Sequence, residues 1–252
     1  MTQFPRGGLP MVQRAVEPRS SGVAAETRPR TKAMLRRYEA ACLDEGGQLI
    51  EINRLAPAIP FFESAFSAMA RSTLLATPGG PVAIEDLMPG DRVDTAEDGP
   101  LAVLWKGSLT LYPQRSDLSG RPDRLLRMTA DALGYGRPMQ DLLLGPEARI
   151  WSPRAADFLR ADDLVDGEAV IELTPIAPVT AYNICLSGCH TLLANGVALR
   201  SYAPDPAQAA ALSPDLLALF LSMFPNPTLL EEIGPPRRAR GPADPKDGIA
   251  AA

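Results

Sequence analysis

An Asn-Gly pair at residues 195–196, set between the apolar runs HTLLA and VALRSY, constrains this chain more than any other feature. A two-residue hairpin turn that matches strand twist needs positive φ at its central residues, and Asn followed by Gly adopts it at little cost. The same punctuation recurs. Asp98-Gly99 lies between a strand expected at residues 92–96 and LAVLWKGSLTLY, and Asp166-Gly167 precedes EAVIELT. Pro78-Gly79-Gly80 separates TLLAT from PVAIEDL, and Pro89-Gly90-Asp91 leads into the 92–96 strand. VTAYNICLS is a further strand. Short apolar runs bounded by turn residues specify an antiparallel, mainly β fold.

The flanks read differently. Residues 1–31 are rich in Pro, Arg, Ser and Gly without periodicity and are expected to be a disordered basic leader. Residues 1–37 carry eight basic and two acidic side chains, a balance of +6, while the whole chain is at −5, so the remainder stands at −11. An acidic body with no aromatic residue interleaved among the leader's basic groups beyond Phe4 argues against a nucleic-acid partner. Residues 32–44 accept either a short helix or a strand. GGQLIEINRLAPAIP reads as a strand with a proline-rich exit, and residues 63–71 are helix-friendly. Residues 32–67 together are expected to form an extension packing on the main domain.

Downstream, Ser213-Pro214 is an N-cap and first-turn pair opening an apolar helix within residues 205–224. Leu216, Leu217, Phe220 and Phe224 are expected to be buried on the chain's own domain, with docking on a protein partner as the alternative. Residues 225–252, with six prolines, are expected to be a disordered tail.

Three cysteines, Cys42, Cys185 and Cys189, and one histidine, His190, offer neither a disulfide framework nor a zinc-ligand spacing. The cysteines are expected to be small buried apolar groups and His190 a hydrogen-bonded core histidine. No cofactor or metal is expected. The N-terminus has no signal-peptide core and no run is long enough to span a membrane, so a cytoplasmic location is the expectation.

Three segments in order carry a family resemblance: TLLATPGGPVAIEDLMPGDR (73–92), LLLGPEARI (142–150) and AYNICLSGCHTLLANGVALRSY (181–202). Together they resemble the opening, second and closing motifs of Hint (hedgehog/intein) domains, bacterial members included. The resemblance implies a hairpin-rich, horseshoe-like antiparallel β domain over residues 68–204. It also implies autoprocessing chemistry. A Cys or Ser at the first position attacks the preceding carbonyl, and a His protonates the departing amide nitrogen. Donors hold the oxyanion.

Carried over by position, that machinery is incomplete. The nucleophile position falls on Ala68, the second-motif His on Ala148, and the closing His-Asn slot on Arg200-Ser201. His190 occupies its expected place as the retained motif His. The expected function is therefore a non-catalytic structural or interaction module of intein/hedgehog ancestry, a pseudoenzyme. The alternative is an active autoprocessing domain using Ser67 or Ser72 as nucleophile with His190. A third reading, a cysteine-dependent site, fails locally, because adjacent Cys189 and His190 in a strand point to opposite faces.

Overall fold

The computed structural model describes residues 34–113 and 123–224. The disorder expected for residues 1–31 and 225–252 lies outside them. Residues 35–43, readable either way in the sequence, form strand β1 (Leu35–Leu43). The deciding factor is tertiary: Tyr38, Ala40 and Cys42 alternate onto one buried face, a period of two that only a strand delivers. β1 pairs antiparallel with β2 (Leu49–Pro57). The helix-friendly stretch is realised earlier and shorter than expected, as α1 (Pro60–Phe66), and the chain then returns to strand at β3 (Met69–Ala70). β4 (Leu74–Leu75), β5 (Val82–Ala83), β6 (Arg92–Thr95) and β7 (Gly99–Ala102) follow.

LAVLWKGSLTLY is not one strand. Its first residues belong to β7, which pairs with β6 across the Asp98-Gly99 turn. The rest is β8 (Trp105–Leu111) in the other sheet. The break falls at Val103 and Leu104, both packed into cores. The remaining strands are β9 (Leu125–Met128), β10 (Leu142–Leu144), β11 (Arg149–Ser152), β12 (Asp157–Arg160), β13 (Val170–Leu173), β14 (Val179–Cys185), β15 (Thr191–Ala194) and β16 (Val197–Arg200).

Two eight- and six-strand antiparallel paths result: β13-β9-β10-β3-β14-β8-β1-β2, and β12-β11-β16-β15-β4-β5 with β6 and β7 joined through β15. The 195–196 hairpin forms as the sequence predicts. Ala194 pairs with Val197, and Asn195 and Gly196 have φ of 48° and 81°. The Asn195 side chain also accepts a hydrogen bond from the Leu74 amide, which ties the hairpin to β4.

Two cores sit between these layers. One is aliphatic, built from residues such as Leu75, Ile84, Val93, Leu144, Ile150, Ile184 and Leu192. The other is aromatic, with Tyr38, Phe62, Phe66, Trp105, Phe220 and Phe224. The Trp105 ring stacks on Phe224 at 4.7 Å, and its indole N–H donates to the Met223 carbonyl. Gly107 makes room for this: a Cβ there would stand 2.2 Å from the Trp105 ring and 2.7 Å from Phe66.

The downstream helix is shorter than expected and follows a separate turn of helix, α2 (Pro206–Ala209), before α3 (Pro214–Leu221). Ser213 caps α3 by accepting from the Leu216 amide. Phe220 and Phe224 are buried as expected, but Leu216 and Leu217 are only half-buried and Leu221 is exposed. Apolar residues all around the helix do not all find cover, because α3 lies on the edge of the aromatic core rather than inside it.

Candidate functional site

The residues aligned with lost chemistry converge. A cleft of about 310 Å³ is lined by Ala68, Ala148, Arg200 and Ser201, so the position ahead of the opening motif meets residues of the second and closing motifs. Phe61 and Ser64 of α1 form one wall, and Tyr202, Ala203, Asp205 and Gln208 of the exit segment another. Apart from Tyr202, which ends the closing motif, these residues come from chain that leads into or out of the motif-bearing body.

At the floor, Ala68 is held by backbone bonds. Its amide donates to the Tyr182 carbonyl, and its carbonyl accepts from the Gly145 amide. The Ser67 carbonyl, which precedes the aligned nucleophile position, presses on Gly145 so closely that a Cβ on that residue would lie 1.6 Å from it. Ala148 is buried and hydrogen-bonded through its backbone to Gly145 and Ala161. Each alanine presents a methyl group, with no atom able to attack a carbonyl or donate a proton.

The fallback nucleophiles are not in the cleft. Ser67 is buried and its hydroxyl donates to the Glu63 carbonyl one turn back in α1, at 2.7 Å. Ser72 is exposed, sits at φ 69°, and its amide donates to Glu85. His190 is also apart. Its Nε2 lies 2.7 Å from the Ser187 carbonyl, so in that contact Nε2 carries the proton. Nδ1 is buried without a hydrogen-bond partner and stands 3.5 Å from Asp98 Oδ2 and 3.8 Å from Glu97 Oε2. Only the His190 backbone borders the cleft, through reciprocal bonds with Ser201. The structure thus brings together Ala68, Ala148 and Arg200-Ser201, and leaves Ser67, Ser72 and the His190 ring outside.

Sequence reasoning passed over other cleft residues. Asn183 is one: 3% exposed, it donates from its side-chain amide to the Ser64 carbonyl and so ties β14 to α1. A polar side chain on the inward face of VTAYNICLS was the available signal. Arg149, within the second motif, also lines the cleft, as do Asp157 and Asp205, which carried no motif signal. Glu147, beside Ala148, is paired with Arg160 at 2.6 Å. Among the described residues no cluster of His, Cys, Asp and Glu is spaced to hold a metal ion.

A family profile described as the Hint domain matches residues 67–206. That is more than half of the chain, and the protein belongs to the Hint domain family. Among solved structures it is similar to a bacterial intein-like domain from Clostridium thermocellum. That likeness has 16% identity, covers 54% of this chain and 99% of that one, and has a TM-score of 0.42. It is also similar to the gp41-1 intein at 15% identity, covering 53% and 97% with a TM-score of 0.35. The MchDnaB-1 intein gives 13%, 54%, 100% and 0.34 for the same quantities. No curated protein matches.

Proposed function

We propose that this Hint domain is a non-catalytic module of autoprocessing ancestry that serves as a structural or interaction domain. The observation that carries the reading is the pair of methyl groups, Ala68 and Ala148, in one cleft where an acyl shift needs a nucleophile and a proton donor. Loss of both removes most of what such a site contributes to rate, since groups that act as a unit fail together.

The role of the upstream chain supports the same reading. β1 pairs with β8, and α1 places Phe62 and Phe66 in the aromatic core. Arg36 adds an ion pair to Glu63 at 3.2 Å and a charge-assisted bond to Asp123. A cut between residues 67 and 68 would leave the preceding segment clamped in the sheet. An interaction role would not run through Phe220 or Phe224, which this core already covers. No helix among the described residues is long and apolar enough to cross a membrane.

Intact-mass spectrometry of the full chain after incubation with dithiothreitol or hydroxylamine tests the proposal, because these reagents intercept thioesters and esters. One species of full mass is expected. Fragments cut before Ser67 or Ser72 would overturn it and name the nucleophile, and a cut before Ala68 would overturn it by showing that another residue attacks there. The double variant Ala68→Cys, Ala148→His restores both missing groups and is expected to show slow thiol-dependent cleavage at the 67–68 bond.

A further inference from the structure

The turn between β14 and β15 carries two thiols in register. Leu186 and Gly188 form an isolated antiparallel bridge around Ser187. Continued one step outward, that register would set Cys185 opposite Cys189, both free thiols. Residues directly opposite in antiparallel pairing have Cα atoms about 4.5–5.5 Å apart and side chains on one face. That separation falls inside the range of about 4.4–6.8 Å that a disulfide spans. Gly188, at φ 88°, allows the chain to reverse this tightly.

We propose that Cys185 and Cys189 form an oxidation-sensitive staple beside the cleft, with a hydroperoxide as the oxidant. Cys189 is the attacking thiol. It is the less enclosed of the two, and Arg200 Nε–H donates to its sulfur at 2.8 Å, a contact that favours the thiolate. The thiolate attacks one peroxide oxygen and the O–O bond breaks. Hydroxide leaves and takes up the proton that the thiol released, forming water, and Cys189 becomes a sulfenic acid. The Cys185 thiol then attacks that sulfur, a second water leaves, and the two sulfurs are joined. In sum, two thiols and one peroxide give one disulfide and two waters.

Burial pushes both thiols up, Cys185 far above the usual range, so the reaction is slow compared with that of an exposed sensor. A charge on Cys189 also disfavours one on Cys185, which places the two sulfurs within mutual influence. The consequence reaches the cleft. Arg200 lines it, and the Cys189 sulfur is one of that side chain's contacts. Drawing the Cys189 sulfur into a bond with Cys185 changes the group to which Arg200 donates, so oxidation alters the Arg200 contact at the cleft wall. The device does not depend on whether the cleft is catalytic.

The reduced full chain is treated with millimolar hydrogen peroxide, then unfolded and alkylated with iodoacetamide. Wild type is expected to fall from three alkylated cysteines to one, Cys42, with residues 185 and 189 cross-linked in the peptide map. Trp105 pairs with Cys185 across β8 and β14, so its fluorescence is expected to drop in step. Cys189→Ser retains two alkylated thiols, Cys185→Ser retains only Cys42 with an unresolved oxygen adduct on Cys189, and Cys42→Ser ends with none. The wild-type peptide map decides the matter even where a variant folds poorly. Three alkylated thiols, stable oxygen adducts on a single cysteine, or a Cys42-linked dimer in wild type would each overturn the staple.

Discussion

The aliphatic and aromatic cores of this protein are assembled on different principles. The aliphatic core holds no fully buried aromatic ring and is made by strands of the family domain folding on short turns. The aromatic core takes Tyr38, Phe62 and Phe66 from before residue 67 and Phe220, Met223 and Phe224 from after residue 206, and closes them on Trp105. Large rings bury more area per residue and join at edge or stacked angles. They suit a seam that must hold two flanking segments onto a prebuilt body. The difference teaches that the flanks are part of the fold, and that residues of α1 and of the exit segment line the cleft together with residues of the second and closing motifs.

Trp105→Ala should be the most damaging change to this arrangement. It removes the ring shared by Phe66 and Phe224 and leaves the Met223 carbonyl without its indole donor. A loss of about 3–5 kcal/mol is expected in denaturant unfolding. Leu192→Ala, in the aliphatic core, should cost about 2–5 kcal/mol with the same single transition. Two separated transitions in either variant would show that the cores are independent units and break the picture of one cooperative body.

Gly145→Ala is expected to come next, because the new methyl would collide with the Ser67 backbone where flank and body meet. Overpacking of this kind costs about 1–3 kcal/mol. The change should also raise protease cutting near residues 67–68. Wild-type stability would mean that the junction is loosely held.

The smallest effect separates a half-buried carboxylate from a surface one by the sign of its pH dependence. Burial pushes Glu63 up from the usual carboxylate range, against the pull of Arg36, with Asp123 and Glu147 adding to the rise. A carboxyl whose folded value lies above its unfolded value binds its proton more tightly in the fold. Its ionised form therefore weakens the fold at neutral pH, and that penalty disappears as pH falls. Asp166 is the reverse. Amides of Val170, Glu168 and Ala169 hold it below the usual range, so its contribution is present above the unfolded value and lost as pH falls. Comparing melting temperature against pH, Glu63→Gln should fall relative to wild type on acidification, while Asp166→Ala should rise relative to it. Parallel curves for both variants and wild type would remove this distinction.

Much of the body was legible because its instructions are local. Asn195-Gly196 dictates a turn through the φ values its two residues accept, and the hairpin it makes needs only the adjacent strands. Ser213-Pro214 starts a helix for equally local reasons. The absence of a nucleophilic or imidazole side chain at Ala68 and Ala148 is likewise a property of the sequence alone.

Other features belong to the tertiary structure. Residues 35–43 became a strand because β8 offered an edge and a core for Tyr38. Arg36 tolerates burial because Glu63 and Asp123, distant in sequence, meet it. His190 holds its place in the closing motif, yet the Ser187 carbonyl and the 97–98 turn fix its ring outside the cleft. Turn chemistry acts over two to four residues and is written in them. Which faces meet is decided by contacts between segments far apart in the chain, whose closure entropy is offset only when the whole body forms.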